Sequence, residues 1–234
     1  MTNPVFVAID TADLGRARKL VRAVQPHVGG IKLGLQFFAA NGPDGVRRLS
    51  EHGLPLFLDL KFHDIPNTVS RAIQSVRDLA PAVLTVHGAG GREMLKRARR
   101  IAGPNIKVVA VTVLTSLSDL DLKRTGIADD GATTGVAAIQ TLRLARLAKD
   151  CGLDGVVCSG LEVAEIKAAW ADGYFVVPGI RPAGSVRDDQ KRVSSPAAAI
   201  ADGASMLVVG RPITAAPDPA AAAAAIVASL AAAA

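Results

Sequence analysis

The stretch Leu54-Pro-Leu-Phe-Leu-Asp-Leu-Lys-Phe-His-Asp-Ile-Pro-Asn-Thr68 carries one strand and the start of the helix after it. The apolar run 54–58 reads as a buried strand. Beyond it, Val69, Ile73, Val76 and Leu79 recur at the spacing of an amphipathic helix. Asp59, Lys61 and Asp64, of alternating sign, stand where the strand ends. Strand side chains alternate faces, so Asp59 and Lys61 are expected to point the same way. Such a pair is either a surface ion pair or part of a reactive site. The rest of the chain distinguishes the two.

Outward from this stretch the pattern repeats. Short runs rich in Val, Ile and Leu fall at 6–10, 30–34, 56–61, 83–87, 108–115, 155–159, 175–180 and 206–210. Leu14, Ala17, Leu20, Val21 and Val24 make a helical face after the first run. Further helices read at 134–150, 161–171 and 196–202. In the Ala-rich tail 220–234, Ile226, Val227 and Leu230 mark a last amphipathic helix whose final alanines are expected to fray. Near-continuous apolar strands alternating with helices imply parallel strands covered by helices. Eight such units predict an α/β fold, a closed (β/α)8 TIM barrel occupying 1–234 as a single domain. The rival, an open doubly wound sheet, would carry a Gly-rich phosphate turn after its first strand, and Asp10-Thr-Ala-Asp-Leu14 is not one. Two long connections, 116–131 and 181–193, read as lids or binding loops.

Composition narrows the function. Half of the residues are apolar but only 3% are aromatic, so Val, Leu, Ile and Ala must build the core. The net charge of +6 is spread over Arg47, Arg48, Arg97, Arg99, Arg100, Lys123, Arg124, Lys191 and Arg192, with no interleaved aromatic stripe. That pattern argues against nucleic acid and suits a small anionic substrate. Cys151 and Cys158 lack metal-site spacing and suit a reducing cytoplasm. With no leader-like segment and no apolar run of about 18 residues, the expectation is a cytoplasmic protein without a membrane partner.

Barrels of this kind do their chemistry at the C-terminal strand ends. Here those ends carry Asp10, Lys32, Asp59 with Lys61, His87, Thr115, Ser159, Gly179 to Arg181, and Gly210 with Arg211. Asp10 alone also reads as a helix N-cap, and Lys32 as a side chain snorkelling along the wall. Together, four charges of alternating sign at three neighbouring strand ends point to a site. Val208-Val-Gly-Arg-Pro212, beside Pro178-Gly-Ile-Arg-Pro182, reads as a phosphate grip of backbone amides and guanidinium groups. His27 and His52 are expected in solvated connections, His63 in a turn beside Lys61, and His87 on the site wall. No His/Cys/carboxylate cluster has metal-ligand spacing, so no metal is expected. The residues alone therefore predict a barrel enzyme acting on a phosphorylated metabolite through a Lys/Asp array.

With these residues in view, the chain resembles the orotidine 5′-phosphate decarboxylase family nearly end to end. The resemblance lies in Phe6-Val-Ala-Ile-Asp10, Lys32-Leu-Gly34, Asp59 to Thr68, Val113-Leu-Thr-Ser116, Pro178-Gly-Ile-Arg-Pro182, Asp189-Gln190 and Val209-Gly-Arg-Pro212. It implies decarboxylation of orotidine 5′-phosphate to UMP without metal or cofactor. Lys61 would be the proton donor to C6 and Asp59 the carboxylate against the departing carboxylate. Lys32 and Asp10 would hold the ribose and complete the array. Asp64 and Thr68 would come from the neighbouring subunit of a homodimer. Thr115 would lie near the base, with Ser118 the candidate contact to the pyrimidine amide edge, while Arg181, Gln190, Gly210 and Arg211 would grip the phosphate. The alternative in the same barrel group is a sugar-phosphate decarboxylase or an aldolase-type lyase.

Overall fold

The computed structural model describes residues 3–127, 135–182 and 193–231. Its strands are β1 (Val5–Ala8), β2 (Gly30–Gly34), β3 (Leu56–Phe62), β4 (Val83–His87), β5 (Lys107–Val111), β6 (Gly155–Val157), β7 (Tyr174–Val177) and β8 (Met206–Val209). They close in chain order into a parallel barrel, with β8 beside β1. The helices are α1 (Leu14–Val24), α2 (Leu35–Ser50), α3 (Pro66–Val76), α4 (Gly91–Ala102), α5 (Asp119–Arg124), α6 (Val136–Asp150), α7 (Val163–Ala169), α8 (Pro196–Ala201), α9 (Arg211–Thr214) and α10 (Pro219–Ala231). The (β/α)8 architecture read from the alternation is the one observed.

The alternation of side chains along each strand divides the core in two. Val5, Val7, Ile9, Ile31 and Leu33 belong to the larger cluster between strands and helices. Phe6, Ala8, Phe57, Val83, Val109 and Met206 belong to a smaller cluster inside the barrel. The interior is filled by size matching. Phe6 pairs with Gly30, and a Cβ on Gly30 would lie 2.2 Å from the Phe6 ring. The aromatic takes the space the glycine leaves.

Several strands stop earlier than their apolar runs. β7 ends at Val177, because Pro178 has no N–H to offer the ladder. β5 ends at Val111 rather than 115, since its partner β6 spans only Gly155–Val157. Thr112 still bonds Val157 O through both its amide (3.2 Å) and its hydroxyl (2.8 Å). The connection 116–131 is not a structureless loop: it contains α5, closed by a capping box between Ser118 and Asp121. Residues 128–131 of that connection, 183–192 of the other and the last alanines, 232–234, lie outside the described residues, as does residue 134, the expected start of α6.

Candidate active site

The C-terminal mouth of the barrel opens into a cavity of about 440 Å³, a size that suits a small-molecule ligand. Asp10, Lys32, Asp59 and Lys61 line one side of it. Their side chains form a continuous row of alternating charge. Lys32 Nζ lies 2.7 Å from Asp10 Oδ1 and 4.0 Å from Asp59 Oδ2, and Lys61 Nζ lies 2.7 Å from the same Asp59 oxygen. Two carboxylates and two ammonium groups leave the row formally neutral. Lys32 does not snorkel outward; it is buried between its two carboxylates. Gly34 makes room for this, since a Cβ there would stand 3.1 Å from Lys32 Nζ and 3.5 Å from Asp10 Oδ1.

The convergence of Asp59 and Lys61 has a different cause from simple strand alternation. Leu58 pairs with Leu84 and Phe62 with Val86, so β3 spends Asp59, Leu60 and Lys61 where β4 spends only Thr85. This bulge turns the backbone of Lys61 into the left-handed region at φ 50°. Such a conformation costs a non-glycine residue about 1–3 kcal/mol. Two hydrogen bonds from Thr85 hold it. Its Oγ1 accepts the Lys61 amide at 2.8 Å and donates to Asp59 Oδ1 at 3.0 Å. Thr85 is fully buried and was not singled out from the sequence. The available signal was a lone hydroxyl inside the otherwise apolar Val83-Leu-Thr-Val86.

The part of the mouth beyond Asp10, across the β1–β8 seam, is built from the ends of β7 and β8. Gly179, Arg181, Gly210 and Arg211 line the cavity there. Arg181 is held by its amide bond to Ser194 O at 2.9 Å and by a side-chain bond to Ile180 O at 2.9 Å. Thr115 and Leu114 close another side, over apolar walls from Val111, Val157 and Val176. Gln190 lies outside the described residues.

The remaining site candidates lie outside this cavity. Asp64 and Thr68 are exposed and line a neighbouring groove with Leu35, Phe38, Leu60 and Phe62; this groove shares Lys61 with the cavity. Ser118 caps α5, with its hydroxyl 2.6 Å from Asp121 Oδ2, and does not line the cavity. His87 is not on the cavity wall either. It stacks on His63, ring centroids 5.0 Å apart, while its Nδ1 accepts the Ala89 amide at 3.2 Å. Burial pushes the His87 pKa below its ordinary 6.5, helped by the charges of His63 and Lys61. His27 and His52 are half-buried rather than solvated, and His52 Nε2 has no hydrogen-bond partner among the described residues. Among the described residues, no three His, Cys, Asp or Glu side chains gather as metal ligands, and no helix is long and apolar enough to cross a membrane.

A (β/α)8 barrel with a Lys/Asp row and two arginines at its mouth is the class that the fold and site define. The chain belongs to the orotidine 5′-phosphate decarboxylase / HUMPS family, which it matches over residues 3–226. A relative from Sphingopyxis alaskensis named orotidine 5′-phosphate decarboxylase is 56% identical over 219 residues, covering 94% of this chain and 95% of the relative. One of the same name from Novosphingobium aromaticivorans is 53% identical over 230 residues, covering 98% and 100%. The crystal structure of orotidine 5′-phosphate decarboxylase from Lactobacillus acidophilus superposes with a TM-score of 0.82 at 38% identity, covering 97% of this chain and 99% of that one.

Proposed function

We propose that this protein is a carboxy-lyase that converts orotidine 5′-phosphate to UMP and CO₂, the last step of de novo pyrimidine synthesis, without metal or cofactor. The observation that carries the reading is the Asp10–Lys32–Asp59–Lys61 row at the barrel mouth of a chain of this family. The pyrimidine lies with C6 against Lys61 and its carboxylate against Asp59. The base extends towards Thr115, and Lys32 and Asp10 take the ribose. Arg181, Gln190, Gly210 and Arg211 hold the phosphate.

In the reaction the C6–carboxylate bond breaks, CO₂ leaves and the electron pair stays on C6. The Lys61 ammonium stabilises the developing charge and then transfers its proton to C6; the neutral amine is reprotonated from solvent. Asp59 repels the substrate carboxylate until it departs. An isolated pair of like charges at contact is worth about 4 kcal/mol at a realistic dielectric. Asp59 already faces Lys61 at 2.7 Å and Lys32 at 4.0 Å, which lowers its repulsion of a third charge. Enzymes commonly lower barriers by about 8–23 kcal/mol, so most of the effect falls to Lys61 and to phosphate binding that closes the neighbouring loops.

The groove beside β3 supports a homodimer. Exposed Leu35 and Ile65 flank Phe38 and Phe62, an apolar rim on which Asp64 and Thr68 stand. In the dimer, Asp64 and Thr68 enter the partner's cavity, Asp64 as a further catalytic carboxylate. A cytoplasmic location suits the two buried free thiols, Cys151 and Cys158.

The test is spectrophotometric: EDTA-treated protein given orotidine 5′-phosphate should shift its absorbance to that of UMP. Absence of change with folded protein overturns the reading. For the shared site, inactive Lys61→Ala and Asp64→Ala proteins should recover up to about a quarter of wild-type activity on mixing, because half the dimers are then mixed and each holds one intact site. No recovery after proven subunit exchange excludes the shared site.

A further inference from the structure

We propose that Thr85 is a positioning residue for the reaction, setting Asp59 and Lys61 in place through a single hydroxyl. This rests on the assignment of those two residues to the chemistry.

A threonine hydroxyl has one proton and two lone pairs. Here a lone pair takes the Lys61 amide, which fixes the direction of the other bond: the proton goes to Asp59 Oδ1. With Oδ1 held from below, Oδ2 is the oxygen presented to Lys61 Nζ and Lys32 Nζ. One atom therefore sets both the left-handed backbone that carries Lys61 and the rotation of the carboxylate beside it. Thr85 itself is fully buried and does not line the cavity, so it acts through its neighbours and not on substrate. The bulge would otherwise have little to fix it, because neither Asp59, Leu60 nor Lys61 has a register partner on β4.

Valine has nearly the shape of threonine and fits a strand whose neighbours are Leu84 and Val86, but it offers neither bond. It would leave the Lys61 amide without its acceptor and let the Asp59 carboxylate turn. Displacements of about 1 Å at reacting groups cost on the order of 100-fold in rate. Thr85→Val should therefore lower kcat about 10- to 100-fold while KM stays within about threefold, because the phosphate grip on β7 and β8 is untouched. Thr85→Ser, which retains the hydroxyl, should restore kcat to within about threefold of wild type.

A purely structural role predicts otherwise: lost activity would follow lost folded protein, and Ser, which also loses the methyl packing, would not rescue. The concentration of sites titrated with UMP by calorimetry separates the two, since the proposal requires a full complement of sites in the slow Val variant. Should Thr85→Val not fold, Thr85→Cys keeps similar bulk with only a weak donor and acceptor, and the same loss is expected. The proposal is overturned if the folded variant retains more than half of wild-type kcat, or if Ser is as impaired as Val. Lys61→Ala is the control: if it turns over normally, the site assignment itself is wrong, and the positioning role goes with it.

Discussion

The two ends of the barrel both hold buried or half-buried ion pairs, yet they use them in opposite ways. At the N-terminal end, Asp154 Oδ2 accepts the Val108 amide at 2.7 Å and lies 3.3 Å from Arg99 Nε. The same guanidinium donates to Gly103 O at 3.0 Å and Ile106 O at 3.2 Å. Every partner other than the ion pair is backbone, so the charges are spent on closing the 103–106 turn and aligning β5 with β6. At the C-terminal end the row from Asp10 to Lys61 bonds mainly to itself and faces a cavity. Its backbone anchor is one threonine. Charges satisfied by backbone stabilise the fold; charges satisfied by one another, beside open space, remain available to a substrate.

The largest expected effect breaks the C-terminal row. Lys61→Ala removes the proposed proton donor to C6, so kcat should fall by at least about 10⁴-fold while nucleotide binding remains measurable. The folded protein should lose no more than about 1–3 kcal/mol, since half-buried Asp59 keeps Thr85 and Lys32 as partners. A variant that loses stability in proportion to activity would erase the contrast between the two ends.

Next is Arg211→Ala, which should lower kcat/KM for orotidine 5′-phosphate by about 100-fold or more but hardly affect the phosphate-free nucleoside. Equal losses on both substrates would remove Arg211 from the phosphate grip. At the other end, Asp154→Ala leaves the Val108 amide without its acceptor and Arg99 without its carboxylate. Because Arg99 keeps Gly103 O and Ile106 O, the substitution should cost about 1–3 kcal/mol in denaturant unfolding with kcat per folded site unchanged. A lowered kcat there would show that the N-terminal face also tunes the chemistry.

The smallest effect concerns pH. The His87 pKa is lowered in the folded protein, so below 6.5 the unfolded chain binds the proton more readily than the folded one. The contribution of neutral His87 is therefore fully present above 6.5 and is lost as pH falls from 6.5 through the lower folded value. The thermal midpoint of wild type should drop more steeply over that interval than that of His87→Asn. Parallel curves would mean that protonation of His87 is not linked to folding.

Much of the site was legible because strand ends are legible. An apolar run followed by a charge locates a mouth residue once the barrel is recognised, and Asp10, Lys32, Asp59, Lys61, Thr115, Arg181, Gly210 and Arg211 all line the cavity. His87 broke the rule: it also ends a strand, but its ring turns aside to cap the next turn and stack on His63. Ser118 misled for a related reason, since a serine followed three residues later by Asp121 caps a helix. Asp64 and Thr68, expected to act in a partner's cavity, lie outside this one, since the chain has left β3 by Asp64 and is in α3 at Thr68.

The periodicity of apolar runs determined the strand order, the barrel and the layer in which each charged residue lies, because burial on two faces leaves a strand few polar positions. The bulge could not be read this way. Asp59-Leu-Lys61 has the alternation of an ordinary strand, and the register slip exists only because β4 brings Thr85 against it. Whether two charges merely share a face or meet at 2.7 Å depends on a partner 24 residues further along the chain. Sequence spacing carries the direction of a side chain; only the tertiary structure brings the hydroxyl that holds it there.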